Sequence, residues 1–257
     1  AALAAHDRCG EALAAYALGS LAERTDLAQA AAWLQQAEAA FAAVPSPLGV
    51  AETHFRLAAE HGLQGRAAQS RQEYAAAARE LEQAGAVHDA ISARLGSLDT
   101  GTSPDADYAA LRQRAAALGD GCEVADILRL WGDKDFIAQN YQAAMEHYQA
   151  SSRLFARCPA LASQHAFLET SMGRLERAQG RAAAALPHYQ RALNFQRQSG
   201  DLTYLPQTYN AIAVAYEAMG DIPHAITYYR RGLDEARRLH SQPFIDFLSA
   251  NLGSTYA

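Results

Sequence analysis

A pattern that returns every 40 or 41 residues limits what this chain can fold into. Tyr209, Ile212, Ala213 and Tyr216 return 40 residues later as Ser249, Leu252, Gly253 and Tyr256; Gly220 follows Gly180 by 40, Gly180 follows Gln139 by 41, and Gly65 follows Thr25 by 40. Self-similarity at such a period means that one supersecondary unit is copied and that each copy buries its apolar face against the next. Inside a copy the apolar residues fall three and four apart on both sides of a turn, the pattern of two amphipathic helices. No long Val/Ile/Thr run suggests a strand. Half of the 257 residues are apolar and aromatics are only 9%, so alanine supplies most of the buried seam and the helices should approach closely.

The clearest copy runs from Leu205 to His240, with Tyr209, Ile212, Ala213, Tyr216, Gly220, Ile222, Ala225 and Tyr229 at the large, small and turn positions of a helix-turn-helix unit. This spacing resembles the tetratricopeptide repeat. The period is longer than that family's usual value of about 34 residues, and six extra residues add roughly 9 Å of helix to each pair. Lengthened repeats of this kind resemble those of kinesin light chains and of bacterial signalling proteins in which such an array precedes an effector, for example a caspase-like CHAT peptidase, a cyclase or a transcription-factor domain. The resemblance implies an all-α fold, a right-handed α-α superhelix of six helix pairs plus an unpaired C-terminal helix.

As one solenoid over 1–257, the chain divides into repeats at about 8–44, 47–84, 86–118, 121–157, 160–199 and 201–240, with a lone helix at 242–257. In the first, Leu13, Tyr16, Ala17 and Leu21 precede a turn at Thr25-Asp26, with Leu27, Ala30 and Leu34 following; Val44-Pro45-Ser46-Pro47 ends it. The second places His54, Leu57, Ala58 and His61 before Gly65 and Ala67, Ser70, Tyr74 and Ala77 after it. The third is irregular. Ile91, Leu95, Gly96 and Leu98 fit a first helix, but Asp99–Asp105 replaces the tight turn, and Ser103 or Asp105 is expected to cap the short helix that follows Pro104. The fourth carries Leu128, Trp131, Gly132, Tyr141, Ala144 and Tyr148, and the fifth Met172, Gly173, Gly180, Ala185, Tyr189 and Ala192. Pro187 is out of place inside the second helix of the fifth repeat and predicts a bend or a late helix start.

In the family resembled, certain positions of successive first helices line a concave groove. Mapped onto this sequence, those of the fourth to sixth repeats are Asp126, Arg129, Asp133, Phe136, Phe167, Thr170, Arg174, Arg177, Gln207, Asn210, Val214 and Glu217, preceded in the second by Phe55 and Ala59. Arg129, Arg174, Arg177 and Asn210 could hold a carboxylate or an acidic peptide through charge-assisted hydrogen bonds, with Phe136 and Phe167 as apolar anchors. The alternative is that these arginines pair with Asp126, Asp133 and Glu217 or stay solvated. Asn210 resembles the asparagine of carboxylate-clamp arrays, yet that clamp also needs a lysine and further asparagines, where this chain has arginines and threonine. The expected role is a non-catalytic scaffold for a protein or peptide partner, one that is acidic if the arginines hold it. The alternative is a regulatory array that contacts an effector domain of its own chain.

Other classes are disfavoured by what the sequence contains. A net charge of −6 and a pI near 5.8 argue against a nucleic-acid binder, which normally carries a basic stripe. No apolar run long enough to span a membrane occurs and no signal peptide opens the sequence, so the expected location is cytoplasmic. Cys9, Cys122 and Cys158 are far apart and unpatterned, and read as free thiols in a reducing compartment. His54 and His61, seven apart on one helix, fall on buried positions and read as core residues instead of metal ligands, while His147, His188 and His224 belong to second helices. No nucleophile elbow, Walker loop, GxGxxG segment or paired-carboxylate signature appears, so no enzyme, cofactor or metal is expected. The chain starts without methionine and breaks off after the helix from Gln242, which reads as a piece of a longer protein whose open seam invites end-to-end association.

Overall fold

In a computed structural model, which describes residues 2–22, 27–44 and 46–256 with side chains from Cys9 onward (27 and 28 excepted), the described residues form thirteen helices and no strand. In order these are α1 Ala2–Ala22, α2 Leu27–Ala42, α3 Pro47–Leu63, α4 Ala67–Gln83, α5 Val87–Gly96, α6 Asp105–Ala117, α7 Gly121–Ile137, α8 Tyr141–Phe155, α9 Ala162–Ala178, α10 Ala182–Ser199, α11 Leu205–Ala218, α12 Ile222–Arg238 and α13 Gln242–Thr255. The expected turn at Thr25-Asp26, the side chain of Leu27 and Pro45 lie outside the described residues.

The turn chemistry explains the helix boundaries. Gly180 and Gly220 both have φ of 77°, and in each turn the next residue's N–H reaches back to close the helix, Arg181 to Glu176 O at 2.9 Å and Asp221 to Tyr216 O at 2.9 Å. Gln139 takes the same place between α7 and α8 with φ of 63°, so a side chain there bears the left-handed conformation that glycine adopts freely.

The chain separates into two units of dense internal contact. The first comprises residues 1–99 with Arg238–Pro243 and holds α1 to α5, each packed on its sequence neighbours. Its buried stripe on α1 is Ala12, Ala15 and Ala22, while Leu13 and Leu21 point outward, 57% and 74% exposed. The expected leucine face is thus displaced by one residue. Close approach is the reason: a Cβ on Gly19 would stand 2.8 Å from Leu34, so even an alanine there would force the leucine aside. His61 is buried, and His54 Nδ1 lies 2.6 Å from Glu73 Oε2.

The second unit comprises 100–237 with Phe244–Ala257. Each of its second helices drives one tyrosine into the unit, and Tyr108, Tyr148, Tyr189 and Tyr229 are essentially inaccessible. Burial of so large a side chain contributes about 1.5–3 kcal/mol each. Two of these rings lie on glycines: a Cβ on Gly132 would fall 2.6 Å from Tyr148, and one on Gly173 would fall 2.5 Å from Tyr189. The first helices also touch one another, α9 against both α7 and α11, which puts their side chains on one face.

Four expectations are corrected by the structure. Helix α5 stops at Gly96, so Leu98 is outside it; α6 is preceded by Pro104 with no side-chain cap, because Asp105 instead accepts from Trp131 Nε1 at 2.9 Å and Lys134 Nζ at 2.6 Å. Helix α10 starts at Ala182, ahead of Pro187, so the proline does not delay it. Pro187 is exposed and removes one intrahelical hydrogen bond, so Pro187→Ala is expected to raise the unfolding free energy by about 1–3 kcal/mol in urea titration. Finally, Cys122 and Cys158 are joined in a disulfide, and only Cys9 is a free, exposed thiol. The antiparallel α7–α8 hairpin brings its two ends together, with a Cα–Cα distance of 5.8 Å across a sequence separation of 36.

Candidate functional site

Within the second unit, α7, α9 and α11 carry every residue expected in the groove of repeats four to six. Arg129 is buried; its Nε donates to Asp126 Oδ1 at 2.7 Å and its NH1 to Asp133 Oδ2 at 3.1 Å. Burial alone would push the Arg129 pKa down, but the two carboxylates outweigh it and hold it above its usual value. The other oxygen of Asp133 accepts from Tyr148 OH at 2.7 Å and from Ser171 Oγ at 2.6 Å, so this one carboxylate ties α7 to α8 and α9. Burial first, and Asp133 second, push the Tyr148 pKa far up.

Cation–ring contacts cross between the same helices. The Arg129 guanidinium lies 5.5 Å from the Phe167 ring, and Arg174 lies 5.0 Å from that of Phe136. Phe167 meets Tyr204 edge to face at 4.7 Å, and Phe136 is 5.9 Å from Tyr141. Arg129, Asp133, Phe136, Phe167 and Arg174 are therefore brought together.

The remaining expected residues have separate surroundings. Thr170 is buried and its hydroxyl donates to Ala166 O at 2.9 Å, within its own helix. Gln207 is exposed on the first turn of α11. Asn210 accepts from Asn251 Nδ2 at 2.8 Å, which joins α11 to α13. Glu217 accepts from Tyr229 OH at 2.6 Å and also from Thr255. Arg177 is partly buried beside Tyr189, and its Nε reaches no acceptor. Among the described residues, neither Arg174 nor Arg177 has a carboxylate within ion-pair distance.

Several contributors escape a reading of the groove positions alone. The hydroxyls of Tyr148 and Tyr229, from second helices, end on Asp133 and Glu217 of the first helices. The usable signal lay in register, since a buried tyrosine recurs at 148, 189 and 229 while the residues facing it change charge. Glu169, also on α9, accepts from Arg191 at 2.9 Å and lies 2.7 Å from His188 Nδ1. Burial pushes the Glu169 carboxyl up, but His188 and Arg191 outweigh it and hold it below its ordinary value of 4.5. A depressed folded-state pKa contributes stability that is complete above that ordinary value and is lost as pH falls through the folded one. Glu169→Gln is therefore expected to flatten the fall in melting temperature below about pH 4.5 and to lower stability near neutrality.

Among the described residues no helix is long and apolar enough to cross a membrane, and no group of three His, Cys, Asp or Glu could hold a metal ion. No curated protein matches the chain by sequence. Residues 164–238 match the family model described as tetratricopeptide repeat. Similar solved structures include NprR in complex with its cognate peptide NprX, 15% identical over 97% of this chain and 76% of the other, with a TM-score of 0.69. The Rap conjugation gene regulator of plasmid pLS20 in complex with the Phr* peptide is 13% identical over 89% and 70%, TM-score 0.62. A Rap protein complexed with competence and sporulation factor is 13% identical over 90% and 70%, TM-score 0.59. Residues 164–238 thus carry the tetratricopeptide-repeat pattern, and the chain as a whole shares the all-helical fold of these neighbours over most of its length.

Proposed function

We propose that the chain is a non-catalytic scaffold that binds a peptide segment along the face formed by α7, α9 and α11. The observation that carries this is the pair Arg174 and Arg177, two partly buried guanidiniums of α9 without an internal carboxylate, together with Phe136 of α7, against which Arg174 rests, and Phe167 of α9, held by Arg129 and Tyr204. A face whose aromatic anchors are ordered in advance loses little entropy when it captures an extended segment. Three similar structures, by their descriptions, hold a peptide or factor, which supports a peptide-sized partner here. The finer residue set is Arg174, Arg177, Phe136 and Phe167 at the centre, with Gln207 and Asn210 along α11. Arg129, Asp133, Thr170 and Glu217 hold the face in shape.

The test is selection from a random dodecapeptide library displayed on a carrier. The expected result is a set of binders that lose about tenfold or more in affinity with Phe136→Ala or Phe167→Ala, each variant checked for helicity. No enriched peptide, or binders indifferent to both changes, would overturn the reading.

A further inference from the structure

The three best-formed pairs of the second unit invite comparison at one point. In α7/α8 the buried Tyr148 hydroxyl donates to Asp133; in α11/α12 the buried Tyr229 hydroxyl donates to Glu217. Tyr189 holds the same place in α9/α10, 41 residues after Tyr148 and 40 before Tyr229. It is as buried as the other two, yet its hydroxyl meets Arg177 and no carboxylate. The positions that supply the carboxylate on either side explain why. Arg174 follows Asp133 by 41, Arg177 precedes Glu217 by 40, and so both carboxylate positions are arginine in the middle pair.

The Tyr189 hydroxyl, Arg177 beside it and the Arg174 guanidinium resting on the Phe136 ring are thus gathered with no carboxylate to accept from them. A buried donor left without an acceptor costs stability, and two cations on one spot repel. An anion entering from outside relieves both. Arg174 and Arg177 are partly exposed, so a carboxylate can seat between their guanidiniums and reach the tyrosine as they rotate.

We infer that Arg174, Arg177 and Tyr189 form a seat for an Asp or Glu side chain of the bound peptide, which takes the place that Asp133 and Glu217 fill internally in the neighbouring pairs. This rests on the peptide-binding reading above and adds the chemistry of one anchor. A side-chain carboxylate is favoured over a chain terminus because the two groups it replaces are side-chain carboxylates. The net charge of −6 makes these arginines a local positive point on an acidic chain, which selects partners by fit more than by long-range steering.

The library described above is displayed with its C-terminus fused to the carrier, so its only carboxylates are Asp and Glu side chains. Selected sequences are then synthesised with amidated C-termini and measured by fluorescence anisotropy. The expected result is an acidic residue common to the binders, with a loss of about tenfold or more on its replacement by Gln or Asn, on Arg177→Ala, and on Arg177→Glu, which supplies the internal carboxylate. Tyr189→Phe keeps the ring and should weaken binding by a smaller factor, about three- to tenfold. Binders that depend on Phe136 and Phe167 but not on any acidic residue or on Arg177 would overturn the seat and leave the groove. Each peptide is also made with a free C-terminus, and affinity seen only in that form would put a chain terminus in the seat, against the inference. Failure to select any binder would overturn both readings.

Discussion

Replacing Asp133 by alanine is expected to lower the unfolding free energy by about 3–5 kcal/mol, the range for breaking a buried pair by removing one partner. The change strips a buried guanidinium of one of its two carboxylates and leaves the Tyr148 and Ser171 hydroxyls without their acceptor. Arg129 cannot shed its charge to escape the penalty. Asp126 still accepts from Arg129 at 2.7 Å, which holds the loss within the range instead of above it. Asp133→Asn keeps one acceptor oxygen for the hydroxyls and should cost less. Guanidinium titration followed by circular dichroism reads both variants. A loss below about 1 kcal/mol for the alanine would mean that water replaces these bonds and that Asp133 is not the hub of the α7–α8–α9 packing.

Loss of the Cys122–Cys158 bond has an effect of similar size. It closes a loop of 36 residues, and constraining the unfolded chain to that extent is worth about 3–4 kcal/mol on the chain-entropy account. The bond joins the start of α7 to Cys158, three residues beyond α8, and so holds the hairpin that carries Asp133 and Arg129. Cys158→Ser, or reduction of the wild-type chain, should lower the melting temperature with no gain in Cys9 reactivity, since that thiol is exposed in either state. Equal stability of the oxidised and reduced chains would show that the hairpin's packing alone sets the transition.

How much was legible in the sequence differs between fold and site. The recurrence of Gly132, Gly173 and Ala213 against Tyr148, Tyr189 and Tyr229 announces a copied helical hairpin, because small-against-large pairing at a fixed offset is a packing requirement. What periodicity did not carry was which of several small residues is buried. In α1 the apolar stripe read from Leu13 and Leu21 is displaced to Ala12, Ala15 and Ala22, since alanine is apolar at almost every position there and the tight approach beside Gly19 decides the matter. The disulfide was hidden for a related reason. Cys122 and Cys158 are distant along the chain and neighbours only once a hairpin folds back on itself.

At the candidate site the first-helix positions were readable one by one, but their state of charge was not. Arg129 and Arg174 look alike in sequence, yet the first lies buried between Asp126 and Asp133 and the second rests on Phe136 without a carboxylate. The difference is set by residues three and four positions away on the same helix, and by a tyrosine contributed from the next. Only comparison of one repeat with the next, at the place of the buried tyrosine hydroxyl, separates the arginine that two carboxylates hold from those that meet none.

The most direct test is the Arg177 Nε–H resonance in a proton–nitrogen correlation spectrum, followed while an amidated acidic peptide selected by the chain is added. The seat predicts a progressive shift that saturates with the binding isotherm, is absent for the same peptide with its acidic residue changed to the amide, and is reduced in Tyr189→Phe. A peptide that saturates the chain while leaving the Arg177 Nε–H unmoved would contradict it.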